Sequence, residues 1–193
     1  MADNPIGNPG ALGLAGFALT TFLLNVINAG LLGADSLGIV LGMGIFYGGL
    51  CQLVAGMWDF RRGDTFGATA FSSYGAFWMG LALIMLLGLW APVPAAGKAV
   101  FLGAWGFFTL YMTFGAMRIN KAVTVVFASL TLLFFLLAAG QFDATVHTIA
   151  GYEGLFVAFA AWYASMAIVL NEKYGREVLP VCAYKPKTAK AKR

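Results

Sequence analysis

Apolar residues run almost without a break along this chain, and the interruptions between runs are short and polar. Six runs stand out, at 12–32, 37–58, 66–90, 98–117, 121–140 and 146–170. Each is about 20–25 residues long, or ~30–37 Å as a helix, which matches the hydrocarbon thickness of a bilayer. The pattern predicts an all-α integral membrane protein, a six-helix bundle occupying residues 1–180. Because the connections are short, sequential helices are expected to be antiparallel neighbours. Residues 181–193 read as a basic tail, expected to be disordered, with a solvated or lipid-touching role.

Composition fits this picture. The 193 residues are 61% hydrophobic and only 10% charged, against about 25% charged in soluble domains. A soluble core of this size would lack a wetted surface. The 25 glycines suit helices packed closely in lipid. The net charge of +4 does not point to nucleic acid, because the basic residues sit at span ends and in the tail. Arg61 and Arg62 occupy the second connection, Arg118 and Lys121 the fourth, and seven basic residues follow residue 171; the other three connections hold only Lys98. Positive residues stay inside, so both termini are expected in the cytoplasm, with the protein in the cytoplasmic (inner) membrane. The first eleven residues lack a basic n-region and include Asp3, so no cleavable signal peptide is expected. Cys51 and Cys182 fit no redox or metal motif. With one histidine, His147, and no Ser/His/Asp set or phosphate-binding loop, no enzyme, metal site or cofactor is expected.

Polar residues inside the runs are the candidates for function. In the first run Phe17, Thr21, Asn25 and Asn28 follow spacings of four, four and three and share one helix face, flanked by Thr20. An asparagine in a membrane must be hydrogen-bonded. Two readings stand: the face lines a watery path, or it bonds neighbouring helices. The second run carries Gly38-x-x-x-Gly42 and Gly44-x-x-x-Gly48, patterns for close helix approach, and one amide, Gln52. The third run places Thr69, Ser73 and Tyr74 among small residues, and the fifth contains Ser129-Leu130-Thr131. Each of these hydroxyls either meets solute or bonds back to its own helix. Glu153 is the one carboxylate well inside a run. It is a candidate for proton coupling, for an outer vestibule or for a structural acid. Counted from the expected cytoplasmic ends, Phe17, Tyr74 and Leu130 lie ~8, ~12 and ~13 Å deep. If they face one another they form an apolar constriction of the kind that gates by dewetting.

The chain resembles the acetate uptake transporter family, the bacterial succinate–acetate permeases and their fungal ammonium/acetate relatives. The resemblance rests on Asn8-Pro9…Leu12-Gly13-Leu14…Gly16-Phe17, Leu23-Leu24-Asn25…Asn28-Ala29-Gly30 and Met43-Gly44-Ile45-Phe46-Tyr47-Gly48-Gly49. It continues through Thr69-Ala70-Phe71…Ser73-Tyr74-Gly75…Phe77-Trp78, Ser129-Leu130-Thr131 and Leu170-Asn171-Glu172…Tyr174-Gly175-Arg176…Leu179-Pro180. Ala11 departs from it, standing where the family usually has a second proline. The resemblance implies a homohexamer with one pathway per protomer. The implied substrates are acetate and other small monocarboxylates, often with succinate, moved by a permease, anion channel or symporter. It also implies a hydrophobic narrowing whose three positions fall on Phe17, Tyr74 and Leu130, and a small pathway-facing residue at Ala161. Two other readings stay open. One is a channel for small neutral solutes such as urea, amides or ammonia, since no Lys or Arg lies within the membrane. The other is a non-transporting sensor or scaffold.

Overall fold

The apolar runs fold into helices whose ends are set by a few local devices. The computed structural model describes residues 6–184. Helix α1 spans Gly10–Asn28, and the Asn8 side-chain oxygen accepts the Gly10 N–H at 3.0 Å at its start. It stops short of 32 because Gly30 takes φ +74°, the left-handed region that glycine tolerates best. The amides of Leu31 and Leu32 then turn back onto the Val26 carbonyl.

The second run is one continuous apolar helix of 29 residues over Ala34–Arg62. After a 3₁₀ turn it contains α2 (Leu37–Ile45), a π-helical segment at Phe46–Cys51, and α3 (Gln52–Arg62). Asp64 caps α4 (Thr65–Leu86) by accepting the Gly67 N–H at 3.0 Å. Helix α5 runs over Ala95–Ala116. Asn120 caps α6 (Lys121–Ala139), and Asp143 caps α7 (Ala144–Tyr174) through the amides of Thr145 and Val146. Six helices are long and apolar enough to cross a membrane, as the pattern predicts. Among the described residues there is no strand, only an isolated bridge between Asn120 and Ala183.

The six spans close into a ring. The second span packs beside α1, α3 on α4, α5 on α6 and α6 on α7, while α7 returns to α1. Small residues make the α1 contacts. A Cβ added at Gly154 would fall on the Asn25 side chain, and one at Gly151 on the backbone of Ala29. Ser165 donates to the Ala11 carbonyl at 2.7 Å along the same seam. On the opposite side of α1 a Cβ at Gly48 would strike Thr20, and one at Gly16 the Tyr47 carbonyl. Gly44 and Gly48 therefore serve contacts within this chain, whereas nothing lies near Gly38 or Gly42. The π segment sits at the Gly16 contact. Its wider turn re-phases α3 relative to α2 and brings Gln52 inward, where only 1% of it is exposed.

One end of the ring is tied by charge. Asp59, 1% exposed, pairs with Arg62 at 3.2 Å, and the same guanidinium nitrogen donates to Asn8 at 2.9 Å. The start of α1 is thus held to the end of α3. After α7 the chain doubles back. Asn171 accepts the amides of Val178 and Leu179 and donates to the Leu179 carbonyl, and the Tyr163 hydroxyl donates to the Pro180 carbonyl at 2.8 Å. Of the expected tail, Val181 and Cys182 accept from the Lys121 amide; residues 185–193 lie outside the described residues.

Candidate functional site

Two small cavities lie inside the ring. One is lined by Leu14, Gln52, Ala70, Phe71, Val126 and Phe127. The other is lined mainly by Thr21, Leu24, Asn25, Phe77, Trp78 and Phe134. The residues they share are Phe17, Tyr74 and Leu130. Their water-accessible space is about 20 Å³ in the Gln52 cavity and 30 Å³ in the Asn25 cavity, room for a water or two. All three shared side chains are buried, and the Phe17 and Tyr74 ring centroids stand 6.0 Å apart. The three residues grouped by depth are thus the ones that border both cavities.

Tyr74 is held on several sides. Its hydroxyl lies 2.9 Å from the Thr109 hydroxyl, and its ring meets Trp105, Phe108 and Phe127 at 5.4–6.1 Å between centroids. Polar groups flank these three residues. Thr21 Oγ1 and Trp78 Nε1 are buried without a partner among the described residues, and both residues line the Asn25 cavity. Gln52 Oε1 is likewise without one, and Gln52 lines the other cavity. A buried polar group left unpaired costs about 1–3 kcal/mol, so these atoms are suited to a passing polar solute or water. The Asn25 amide donates to the Thr21 carbonyl at 2.8 Å and accepts from Asn28 at 3.1 Å, which carries the polar line along α1 beyond the cavity. No Lys, Arg, Asp or Glu lines either cavity.

The remaining sequence candidates sit elsewhere. Thr20 faces the second span and donates to the Gly16 carbonyl at 2.9 Å. Ser129 bonds back to the carbonyls of Val125 and Val126. Thr131 bonds back to Phe127 and meets Thr113 at 3.1 Å. Thr69 and Ser73 are half-buried and line neither cavity; the next residue on their face of α4 is the exposed Ala76. Ala161 is fully buried in the core and also borders neither cavity. Glu153 is half-buried and lines neither.

The match to known proteins covers the same elements. The model of the GPR1/FUN34/yaaH family matches residues 1–183. This chain belongs to that family. The succinate-acetate/proton symporter SatP of Escherichia coli (strain K12), a GPR1/FUN34/yaaH relative, is 47% identical, over 94% of this chain and 98% of its own length. Acetate permease A of Emericella nidulans is 38% identical, over 92% of this chain and 66% of the relative. Among solved structures, the bacterial acetate channel SatP superposes with a TM-score of 0.87 at 46% identity, covering 92% of this chain and 99% of the other. These GPR1/FUN34/yaaH relatives carry the names of transporters and a channel. The chain is a multi-pass membrane protein of this family.

Sequence reasoning passed over two side chains that matter around Tyr74. Thr109 holds Tyr74, and its signal was a Thr109/Thr113 pair four residues apart in an oily helix. Trp78 offers an unpaired N–H one turn beyond Tyr74, and its four-residue spacing from that tyrosine was the available clue.

Proposed function

We propose that this protein is a permease or channel that moves acetate and other small carboxylates, succinate among them, across the cytoplasmic membrane. The observation that carries this reading is the pair of cavities meeting at Phe17, Tyr74 and Leu130. A solute passes from one to the other when those three side chains, an apolar partition, part and the cavities, which now have room for a water or two, widen around it. The names of the relatives supply the substrate class. Their agreement with the site lies in its chemistry: the Thr21 hydroxyl, the Trp78 N–H and the Asn25 amide are neutral groups that can donate to a carboxylate. Neutral donors hold an anion weakly enough for it to leave again. In the closed partition no polar group spans the gap, so water and anion are both excluded.

In line with the family resemblance the protomer works within a homohexamer, one pathway in each, and the basic connections support both termini in the cytoplasm. Asn8-Pro9, tied to Arg62, then marks the cytoplasmic entrance, and Asn28 the outer exit. Ala161 is fully buried on α7, the helix packed against α1, so its size is expected to act on the pathway through α1. The absence of Lys and Arg from both cavity walls favours one second reading, a channel for small neutral solutes such as urea, amides or ammonia.

Uptake into proteoliposomes separates these readings. Labelled acetate is expected to enter and to be inhibited by unlabelled propionate and succinate but not by urea. Urea entry that acetate does not inhibit would overturn the carboxylate reading. Repeating the uptake with an imposed pH gradient distinguishes a channel, whose acetate flux follows the anion gradient alone, from a proton-coupled carrier.

A further inference from the structure

Thr109 lies on α5, outside both cavities, yet its hydroxyl sits 2.9 Å from that of Tyr74. Either oxygen could donate by distance alone. The neighbours decide it. Thr109 has one hydroxyl proton, and the Trp105 carbonyl one turn back on the same helix accepts it at 2.8 Å. The Tyr74 proton must then point at Thr109 Oγ1. Thr109 is fully buried and Tyr74 nearly so, so water does not compete for that proton. Thr113 donates to the Thr109 carbonyl at 2.9 Å and fixes the same stretch of α5.

We infer that Thr109 is a positioning residue that accepts the hydrogen bond of the Tyr74 hydroxyl and so keeps the partition free of hydrogen-bond donors. Phe17 and Leu130 have no polar atoms, and with its proton committed Tyr74 shows the pathway its ring. A carboxylate at the narrowing finds nothing to hold it and moves on to the next cavity. Without Thr109 the tyrosine hydroxyl has an unspent proton in an apolar setting. Its nearest charged acceptor is then the passing carboxylate, and a hydrogen bond to an ionised acceptor is the stronger kind. The partition becomes a binding site, and a solute that binds at the narrowest point leaves it slowly. This inference rests on the carboxylate-transport reading above.

The test compares Thr109→Val, which keeps the shape and removes the hydroxyl, with Thr109→Ser, which keeps both donor and acceptor. Each is assayed for concentration-dependent acetate uptake in proteoliposomes after its assembly and melting temperature are checked. Thr109→Val is expected to lower both the half-saturating acetate concentration and the maximal rate, each by roughly ten- to a hundredfold, the worth of about one hydrogen bond to a charged group. Thr109→Ser is expected to match the parent. In a Tyr74→Phe background Thr109→Val should have no further effect, because no hydroxyl remains to be freed. Should Thr109→Val fail to assemble, Thr109→Ala takes its place in the same cycle. Equal shifts from Val with and without the Tyr74 hydroxyl would show that Thr109 acts by packing and would overturn the proposal. So would a maximal rate that falls while half-saturation stays fixed. Failure of the parent protein to take up acetate would instead count against the transport reading itself.

Discussion

Leu130→Ala is the sharpest perturbation of the partition. Leu130 is 3% exposed and borders both cavities, so removing its three outer carbons joins spaces that the side chain now separates. Core Leu→Ala changes cost about 2–5 kcal/mol. Joining two voids leaves a larger one and the cost rises with cavity volume, so Leu130 belongs near the middle of that range, about 3 kcal/mol. The larger effect is on selectivity. One methylene in a tight apolar site is worth about 1–3 kcal/mol of discrimination, and Leu130 supplies one of the three walls that impose it. The uptake ratio of propionate to acetate is therefore expected to rise about tenfold, and that of butyrate to acetate by more. The assay is initial-rate uptake of each labelled acid into proteoliposomes at equal protein and pH. Leu102→Ala is the control, since Leu102 lies in the same core but borders neither cavity. It should lower the melting temperature without changing the ratios. Unchanged ratios in a folded Leu130→Ala protein would refute the partition. Equal relaxation by Leu102→Ala would show that loosening the bundle anywhere has the same result.

Three further outcomes follow from the packing. Gly154→Val drives a side chain into Asn25 and is expected to cost about 1–3 kcal/mol of overpacking, read as a lower melting temperature together with reduced acetate uptake. Arg62→Ala leaves the buried Asp59 carboxylate without its partner and is expected to destabilise by about 1.5–3 kcal/mol; adding Asp59→Asn should restore most of the loss, and thermal melts of the single and double variants decide it. Glu153→Gln is expected to leave the pH profile of acetate uptake unchanged, because Glu153 borders neither cavity; a shifted profile would make it a coupling residue.

Depth was legible in the sequence, and rotation was not. A helix rises by a fixed amount per residue, so counting from a charged connection places Phe17, Tyr74 and Leu130 in one slab without knowledge of the fold. Whether two adjacent hydroxyls face a cavity or a neighbour depends on where that neighbour stands. Thr20 and Thr21 show this: the second span lies over Thr20 at Gly48, and Thr21 turns to the Asn25 cavity. Ser129 and Thr131, two residues apart around Leu130, differ in the same way from the leucine between them. The choice between a watery path and inter-helix bonding was therefore posed for whole helix faces when the structure answers it residue by residue. Helix ends were legible to within a few residues, because apolar character outlasts the helix wherever a glycine turns left-handed, as at Gly30 and Gly88. The π segment was not legible. Gly44-x-x-x-Gly48 suggested close packing, and close packing is present, but the added residue in the turn is what carries Gln52 inward.

Thr109 illustrates the deeper limit. Its own helix offers it a carbonyl to bond, which by itself reads as a satisfied threonine in an oily span. That same bond commits its only proton and turns the oxygen into an acceptor for Tyr74. The functional content thus lies in the direction of a proton between two helices. A sequence names both hydroxyls, but only the packing of α4 against α5 sets that direction.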